Sequence, residues 1–136
     1  MKCPIALIAL ALAGSVVNAG PIAARQLGSI ECNLARFRIV SALGSARSSI
    51  NNIEDETIKT AATAGLEEAN SGISQIAKAI LTGQAPPQES RDVVAAGLSA
   101  MDAALSSVNS TDVNIAKSRS SLLRATAAGQ DVVTNC

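Results

Sequence analysis

The sequence predicts an all-α protein, an antiparallel up-down-up-down four-helix bundle closed by a disulfide between its N- and C-terminal regions. Three observations lead to this fold. Apolar residues recur every three or four positions in four successive stretches. Phe37 is the only aromatic residue, and chains rich in Ala and poor in aromatics suit close-packed helices better than strands. Cys32 and Cys136 lie near the two ends of the four stretches.

The first 19 residues have the pattern of a secretory signal peptide. Lys2 provides the positive start, and the apolar run over 5–13 is too short to span a membrane. Ala19 ends a small-x-small site, which predicts cleavage before Gly20; a weaker site ends at residue 13, and an uncleaved anchor is the alternative. Residues 20–28 form a short extension in which Arg25 offers a second trimming point. We therefore expect a secreted, extracellular protein, with association with a cell wall left open.

The first helix is predicted from about 29 to 53, with Ser29 as its N-cap. Its apolar positions follow one another in steps of three or four, which predicts that they share one buried face. They are Ile30, Leu34, Phe37, Val40, Leu43, Ala46, Ile50 and Ile53.

The second helix is predicted from about 56 to 82. Carboxylates over 54–56 favour the positive end of its dipole, and Gly83 is a natural stop before the breakers Pro86 and Pro87. The predicted buried stripe, widened by Leu66 and Ala77, is Ile58, Ala62, Gly65, Ala69, Ile73, Ile76 and Ile80.

The third helix is predicted from about 87 to 108, because Pro87 suits a first helical turn. Its stripe is Val94, Leu98, Met101, Leu105 and Val108. The tripeptide Ala-Gly-Leu at 64–66 recurs at 96–98, an offset of 32 residues. This repeat reflects either a duplicated helix or a chance similarity between two Ala-rich amphipathic helices.

The fourth helix is predicted from about 111 to 133, capped by Ser110 or Thr111. Its stripe, helped by Leu123 and Val133, is Ile115, Ser118, Leu122, Ala125, Gly129 and Val132. The breaks between helices are short, so consecutive helices should pack antiparallel in a single domain over 29–136.

The four-helix topology and the cysteines support each other. With four antiparallel helices the chain ends where it began, so that Cys136 meets Cys32, whereas three or five helices would separate them by a helix length. In an oxidising compartment these two residues have one intramolecular pairing. Free thiols or an intermolecular bridge are the alternatives.

Composition excludes several kinds of chemistry. The 11 basic and 11 acidic residues become 10 and 11 once Lys2 is removed, a balance that argues against nucleic-acid binding. The chain has no histidine, so Ser–His and Cys–His catalysis is impossible. The carboxylates at 54–56 and 67–68 are expected at a helix start or on a solvated side. We expect no enzymatic activity, no cofactor, no metal and no transmembrane segment in the mature chain.

One modification motif is present in the predicted turn between the third and fourth helices. Asn109-Ser110-Thr111 fits the N-glycosylation sequon, and no other asparagine does. The sequence predicts Asn109 as an acceptor and leaves its occupancy open.

The signal peptide, the short run to Arg25 and the Ala-, Ser- and Thr-rich helices over 20–136 resemble small fungal secreted proteins. The nearest family is the hydrophobic surface-binding and cell-wall galactomannoprotein group, whose members are helical and include binders of lipids or hydrophobic surfaces. The resemblance implies that function here and transfers no functional residue.

The alternative function is a protein-interaction module, an inhibitor or secreted effector, or a structural coat component. In architecture alone the chain resembles plant invertase and pectin methylesterase inhibitors, although their internal disulfide pattern is missing. An interaction module needs anchor residues, which are often arginines. Two groups qualify, Arg36, Arg38 and Arg47, and Lys117, Arg119 and Arg124.

Overall fold

The computed structural model describes residues 29–136 except 109 and 110. This part of the chain forms four α-helices: α1 (Ile30–Ile50), α2 (Glu56–Leu81), α3 (Gln88–Ser106) and α4 (Val113–Asn135). The predicted antiparallel four-helix bundle is confirmed, with helix ends displaced by no more than three residues. The predicted signal peptide (1–19), the extension (20–28) and the acceptor Asn109 lie outside the described residues.

The ends of α1 and α2 are fixed as their sequences predict. The Ser29 hydroxyl caps α1 by accepting a hydrogen bond from the Cys32 amide at 3.0 Å. The Asp55 carboxylate caps α2 by accepting from two amides of its first turn. Gly83, after the end of α2, has a φ of 71°, a left-handed conformation that favours glycine.

The predicted cap of α4 was wrong. Asp112, and not Ser110 or Thr111, caps the helix by accepting from the Asn114 amide at 2.7 Å. The same carboxylate accepts from the Glu54 amide at 3.1 Å, so it ties the start of α4 to the segment before α2. These two amides lower the pKa of Asp112 below its usual value.

Helices α2 and α3 form one close pair, and glycine makes their close approach possible. A Cβ atom placed on Gly65 would lie 2.8 Å from the Gly97 carbonyl oxygen, and one on Gly97 would collide with the Ala69 backbone nitrogen. A Cβ on Gly72 would lie 2.7 Å from the Ser90 carbonyl oxygen. The two glycines of the repeated tripeptide, at 64–66 and 96–98, therefore lie against each other.

Helices α1 and α4 form the second close pair. Both bury small side chains, among them Ala35 and Ala42 on α1 and Ala125 on α4. The predicted disulfide between Cys32 and Cys136 joins them, with the two Cα atoms 5.0 Å apart. The backbones lie closer within the pairs α1–α4 and α2–α3 than between them.

The topology puts the covalent links of the bundle at two different ends. At the disulfide end lie the disulfide, which closes the pair α1–α4, and the connection 82–87, which closes the pair α2–α3. At the opposite, connection end lie 51–55 and 107–112, the two segments that join one pair to the other. In the described residues, the pairs are thus linked covalently at the connection end alone.

The best-buried large side chains lie in the half of the bundle next to the connection end. Ile53, in the first connecting segment itself, is 1% exposed. The Asn114 side chain donates to the Asn52 carbonyl oxygen at 2.9 Å and so joins the first turn of α4 to the first connecting segment. The other large core residues in this half are Leu43, Ile50, Ile58, Leu66, Met101, Leu105, Ile115 and Leu122.

The predicted buried face of α1 was wrong in its first half. Phe37 is 69% exposed, and Ile30, Leu34 and Val40 are exposed with it. Each step of three residues falls about 60° short of a full turn, so three such steps from Phe37 reach the opposite side of the helix at Ala46. The helix buries Cys32, Ala35 and Ile39 instead.

Single positions predicted to be buried on the other three helices were also wrong, among them Ala77 on α2, which is exposed. Leu123 and Val133 on α4 are 71% and 79% exposed, and Val108, after the end of α3, is exposed as well. The central positions of the predicted stripes on α2, α3 and α4 are buried as expected, including Ala62, Met101 and Leu122.

The glycine contact predicts opposite effects for the same substitution at different sites. Gly97→Ala should lower the free energy of unfolding by about 1–3 kcal/mol, because the new methyl group collides with the backbone of α2. At Gly44 and Gly129 an added Cβ would have no atom of another part of the chain within 4 Å. Gly44→Ala and Gly129→Ala should therefore raise the free energy of unfolding by about 0.5–1 kcal/mol. Urea denaturation measures all three; stabilisation by Gly97→Ala would contradict the close pairing of α2 and α3.

The disulfide predicts a stability loss without a loss of helix. In the chain-entropy model, a closed loop of about 100 residues is worth up to roughly 4–5 kcal/mol. The double substitution Cys32→Ser and Cys136→Ser should therefore lower the melting temperature and keep the helical circular dichroism, because the helices retain their packed faces. An unchanged melting temperature would mean that the bond does not form in the purified protein.

Candidate functional site

The most exposed apolar surface on α1 is a row that we call the outer face. It consists of Ile30, Leu34, Phe37 and Val40, whose exposed fractions run from 45% to 80%. The row extends over roughly 15 Å of helix, at 1.5 Å per residue. The single aromatic ring of the protein lies near its middle. Exposed apolar residues clustered in this way mark a contact surface more often than residues scattered singly.

An open groove of about 370 Å³ runs beside the outer face, between α1 and α4. Its floor is apolar, with Ala42 and Ala128, and the Phe37 ring forms part of its wall. Arg38 and Asp131 line it and form an exposed ion pair at 3.5 Å. The remaining lining residues are Ser41, Ser45, Arg124 and Ala127.

The two predicted groups of basic residues do not form two patches. Arg38 and Arg124 come together at the groove, from different groups. Arg36 points away from Arg38, because residues two apart on a helix are about 200° apart around its axis. Arg47, Lys117 and Arg119 are exposed.

Arg36 occupies an unusual place for a charged residue. It lies seven residues, or about two turns, before the buried Leu43 and thus on the same side of α1. The side chain is half-buried, and this burial lowers the pKa of its guanidinium group. Its hydrogen-bond partner is the Asn33 side-chain oxygen at 3.4 Å. In the described part of the chain, no carboxylate forms an ion pair with Arg36.

Arg36 lies toward the disulfide end, where the interior is incompletely covered. On α2 the side chains of Ile73, Ile76 and Ile80 are half-buried, and on α3 so are those of Val94 and Leu98. In the other half of the bundle the corresponding faces are buried. The apolar interior therefore becomes progressively less covered toward the disulfide end.

The acidic residues considered at the sequence level have structural or solvated positions. Asp55 caps α2, and Glu56 accepts from Lys59 at 2.7 Å. Glu67 and Glu68 are exposed on α2. Across residues 29–108 and 111–136, no group of acidic or cysteine side chains is arranged to hold a metal ion. None of the four helices is both long enough and apolar enough to cross a membrane.

Sequence reasoning missed both the outer face and Arg36. The outer face was assigned to the core, although successive steps of three residues in that stretch signal a row that winds around the helix. Arg36 was grouped with its neighbours in sequence. Its spacing of seven from Leu43 and fourteen from Ile50, both buried, is the signal that places it inward.

No family model matches the chain, and neither a curated protein nor a solved structure matches it. The outer face, the groove and the disulfide end are therefore the features that bear on function.

Proposed function

We propose that this chain is a secreted, non-enzymatic protein that binds lipid surfaces through the outer face of α1. The exposed row around Phe37 carries the proposal. Its apolar side chains gain roughly 25 cal/mol for each Å² that leaves water, so an apolar surface is a favourable place for them. A row of exposed apolar side chains can enter the apolar part of a lipid surface while the opposite side of α1 stays packed in the bundle.

The charges of the groove beside Phe37 favour a surface with anionic headgroups, while Glu31 adds one exposed carboxylate next to Ile30. The groove there contains Arg38 and Arg124 against the single carboxylate of Asp131. Its other polar residues, Ser41 and Ser45, are uncharged hydroxyl groups. A local positive excess next to an apolar row attracts phosphate or carboxylate headgroups, even though the chain as a whole has 11 basic and 11 acidic residues.

Two further observations support secretion and the absence of catalysis. A disulfide such as Cys32–Cys136 persists in oxidising compartments, in agreement with the signal peptide predicted over 1–19. The chain lacks histidine, the commonest general base. A hydrophobic cell-wall surface would offer the outer face the same apolar contact as a lipid, and a glycan on Asn109 remains a prediction of the sequence.

The second candidate function is a protein-interaction module, an inhibitor or effector. Phe37 and Arg38 are adjacent in sequence and both line the groove, and aromatic and arginine side chains are frequent anchors of protein interfaces. A protein partner would cover the same surface as a lipid, so the two functions differ in what binds and not in where.

Vesicle flotation tests the proposal. The wild-type chain should float with vesicles of phosphatidylcholine and phosphatidylglycerol, and less with phosphatidylcholine alone. The double substitution Phe37→Ser and Val40→Ser should reduce partitioning at least tenfold, since each buried apolar side chain contributes about 1.5–3 kcal/mol. Leu81→Ser is the matched control, because Leu81 is 86% exposed at the disulfide end and outside the outer face; its partitioning should not change.

Equal partitioning of the double variant and the wild type would show that the outer face is not the surface that binds the vesicles. No flotation of the wild type with either vesicle would overturn lipid binding and favour the protein-interaction module.

A further inference from the structure

In the half of the bundle next to the disulfide end, one helix pair has half-buried apolar side chains and the other has small buried ones. From the pair α2–α3, Ile73, Ile76 and Ile80 remain half-buried. From the pair α1–α4, the buried residues of this end are small, and include Ala35 and Ala128. The large apolar side chains of one pair therefore lie in the same half of the bundle as the small residues of the other and keep partial contact with water. An apolar molecule between the pairs would remove that contact with water.

The inward side of α1 changes from apolar to cationic along its length. Ile50, Leu43 and Arg36 follow one another at intervals of seven residues, about two turns, toward the disulfide end. The first two are fully covered and Arg36 is half-buried without an ion pair in the described residues. A half-buried guanidinium group with a single neutral partner, Asn33, retains donors for an anion.

The connectivity allows this end to open. The disulfide and the connection 82–87 each close one pair internally, and neither joins the two pairs. The pairs are joined at the connection end, where Asp112 and Asn114 hydrogen-bond to the segment 51–55. The two pairs can therefore separate at the disulfide end, with the connection end as the hinge. The glycine-packed contact within α2–α3 and the alanine-packed contact within α1–α4 would stay intact.

We propose that the interior of the disulfide end binds an anionic single-chain lipid. The acyl chain lies between the two helix pairs, against Ile73 and Ile80, and the carboxylate or phosphate headgroup accepts hydrogen bonds from Arg36. The inference deepens the proposed lipid-binding function and rests on it, but it assigns a second site, distinct from the outer face.

The chemistry of this interior favours an acyl chain over a peptide. A peptide strand would bring backbone N–H and C=O groups that need hydrogen-bond partners, and the inward side chains between the pairs are largely apolar. An acyl chain needs no such partners. The distance from Arg36 to Leu43 along α1 is roughly 10 Å, so a chain anchored at Arg36 reaches the closed half of the core.

Ligand binding to matched variants tests the headgroup. The dissociation constants of oleate and of lysophosphatidate would be measured below their aggregation concentrations by equilibrium dialysis. Arg36→Gln should weaken both by about tenfold or more, since a hydrogen bond to a charged group is lost. Arg47→Gln removes the same charge from an exposed position of α1 and should leave both constants unchanged. Weakening of one ligand alone identifies the headgroup, carboxylate or phosphate.

Distances between spin labels test the location of the acyl chain. Labels at Glu31 on α1 and Gln84 after α2, both exposed at the disulfide end, should move apart when oleate binds. Labels at Asn51 and Ser107, at the connection end, should keep their distance, because the hinge lies there. Labels at Glu31 and Thr134, within the pair α1–α4, should also keep theirs.

Equal affinities of the wild type and Arg36→Gln for both lipids overturn the assignment, as does binding that leaves the distance from Glu31 to Gln84 unchanged. If neither lipid binds while vesicle flotation persists, the interior site is wrong and the proposed function stands. If the wild type neither binds these lipids nor floats with vesicles, the interior site and the proposed function are both overturned.

Discussion

The close approach of backbone to backbone at Gly65 and Gly97 determines how the other helices pack. Because neither residue has a Cβ, the backbones of α2 and α3 come so close that a Cβ added to either glycine would meet the main chain of the facing helix. On the opposite side, alanines and the disulfide bring α1 and α4 together. The bundle is therefore built from two tight pairs, and its larger side chains fill the space between them.

This pairing explains where apolar surface remains uncovered. Helix α1 turns its small residues toward α4, so the larger Phe37 and Val40 are left on the outside. Between the pairs, the interior is filled near the connection end and half-covered near the disulfide end, where Ile76 and Ile80 remain half-buried. Both the outer face and the interior site follow from the same cause, the choice of small residues for the closest contacts.

Much of this architecture was predictable from the sequence. Helix count, antiparallel order and the pairing of Cys32 with Cys136 follow from apolar spacing, short breaks and the return of the fourth helix to the start of the first. The identity of the close pairs did not follow, because spacing shows that a face is apolar and not which helix covers it. The exposure of Phe37 and the inward position of Arg36 depend on that choice, so the candidate sites emerged only from the packing.

The most direct test of lipid uptake is native mass spectrometry of the protein purified without detergent from the cells that make it. We expect an added mass that organic solvent releases as a single-chain lipid. The Arg36→Gln variant should retain less of this added mass than the wild type. A bare polypeptide mass, with or without a glycan on Asn109, that stays bare after incubation with oleate would contradict it.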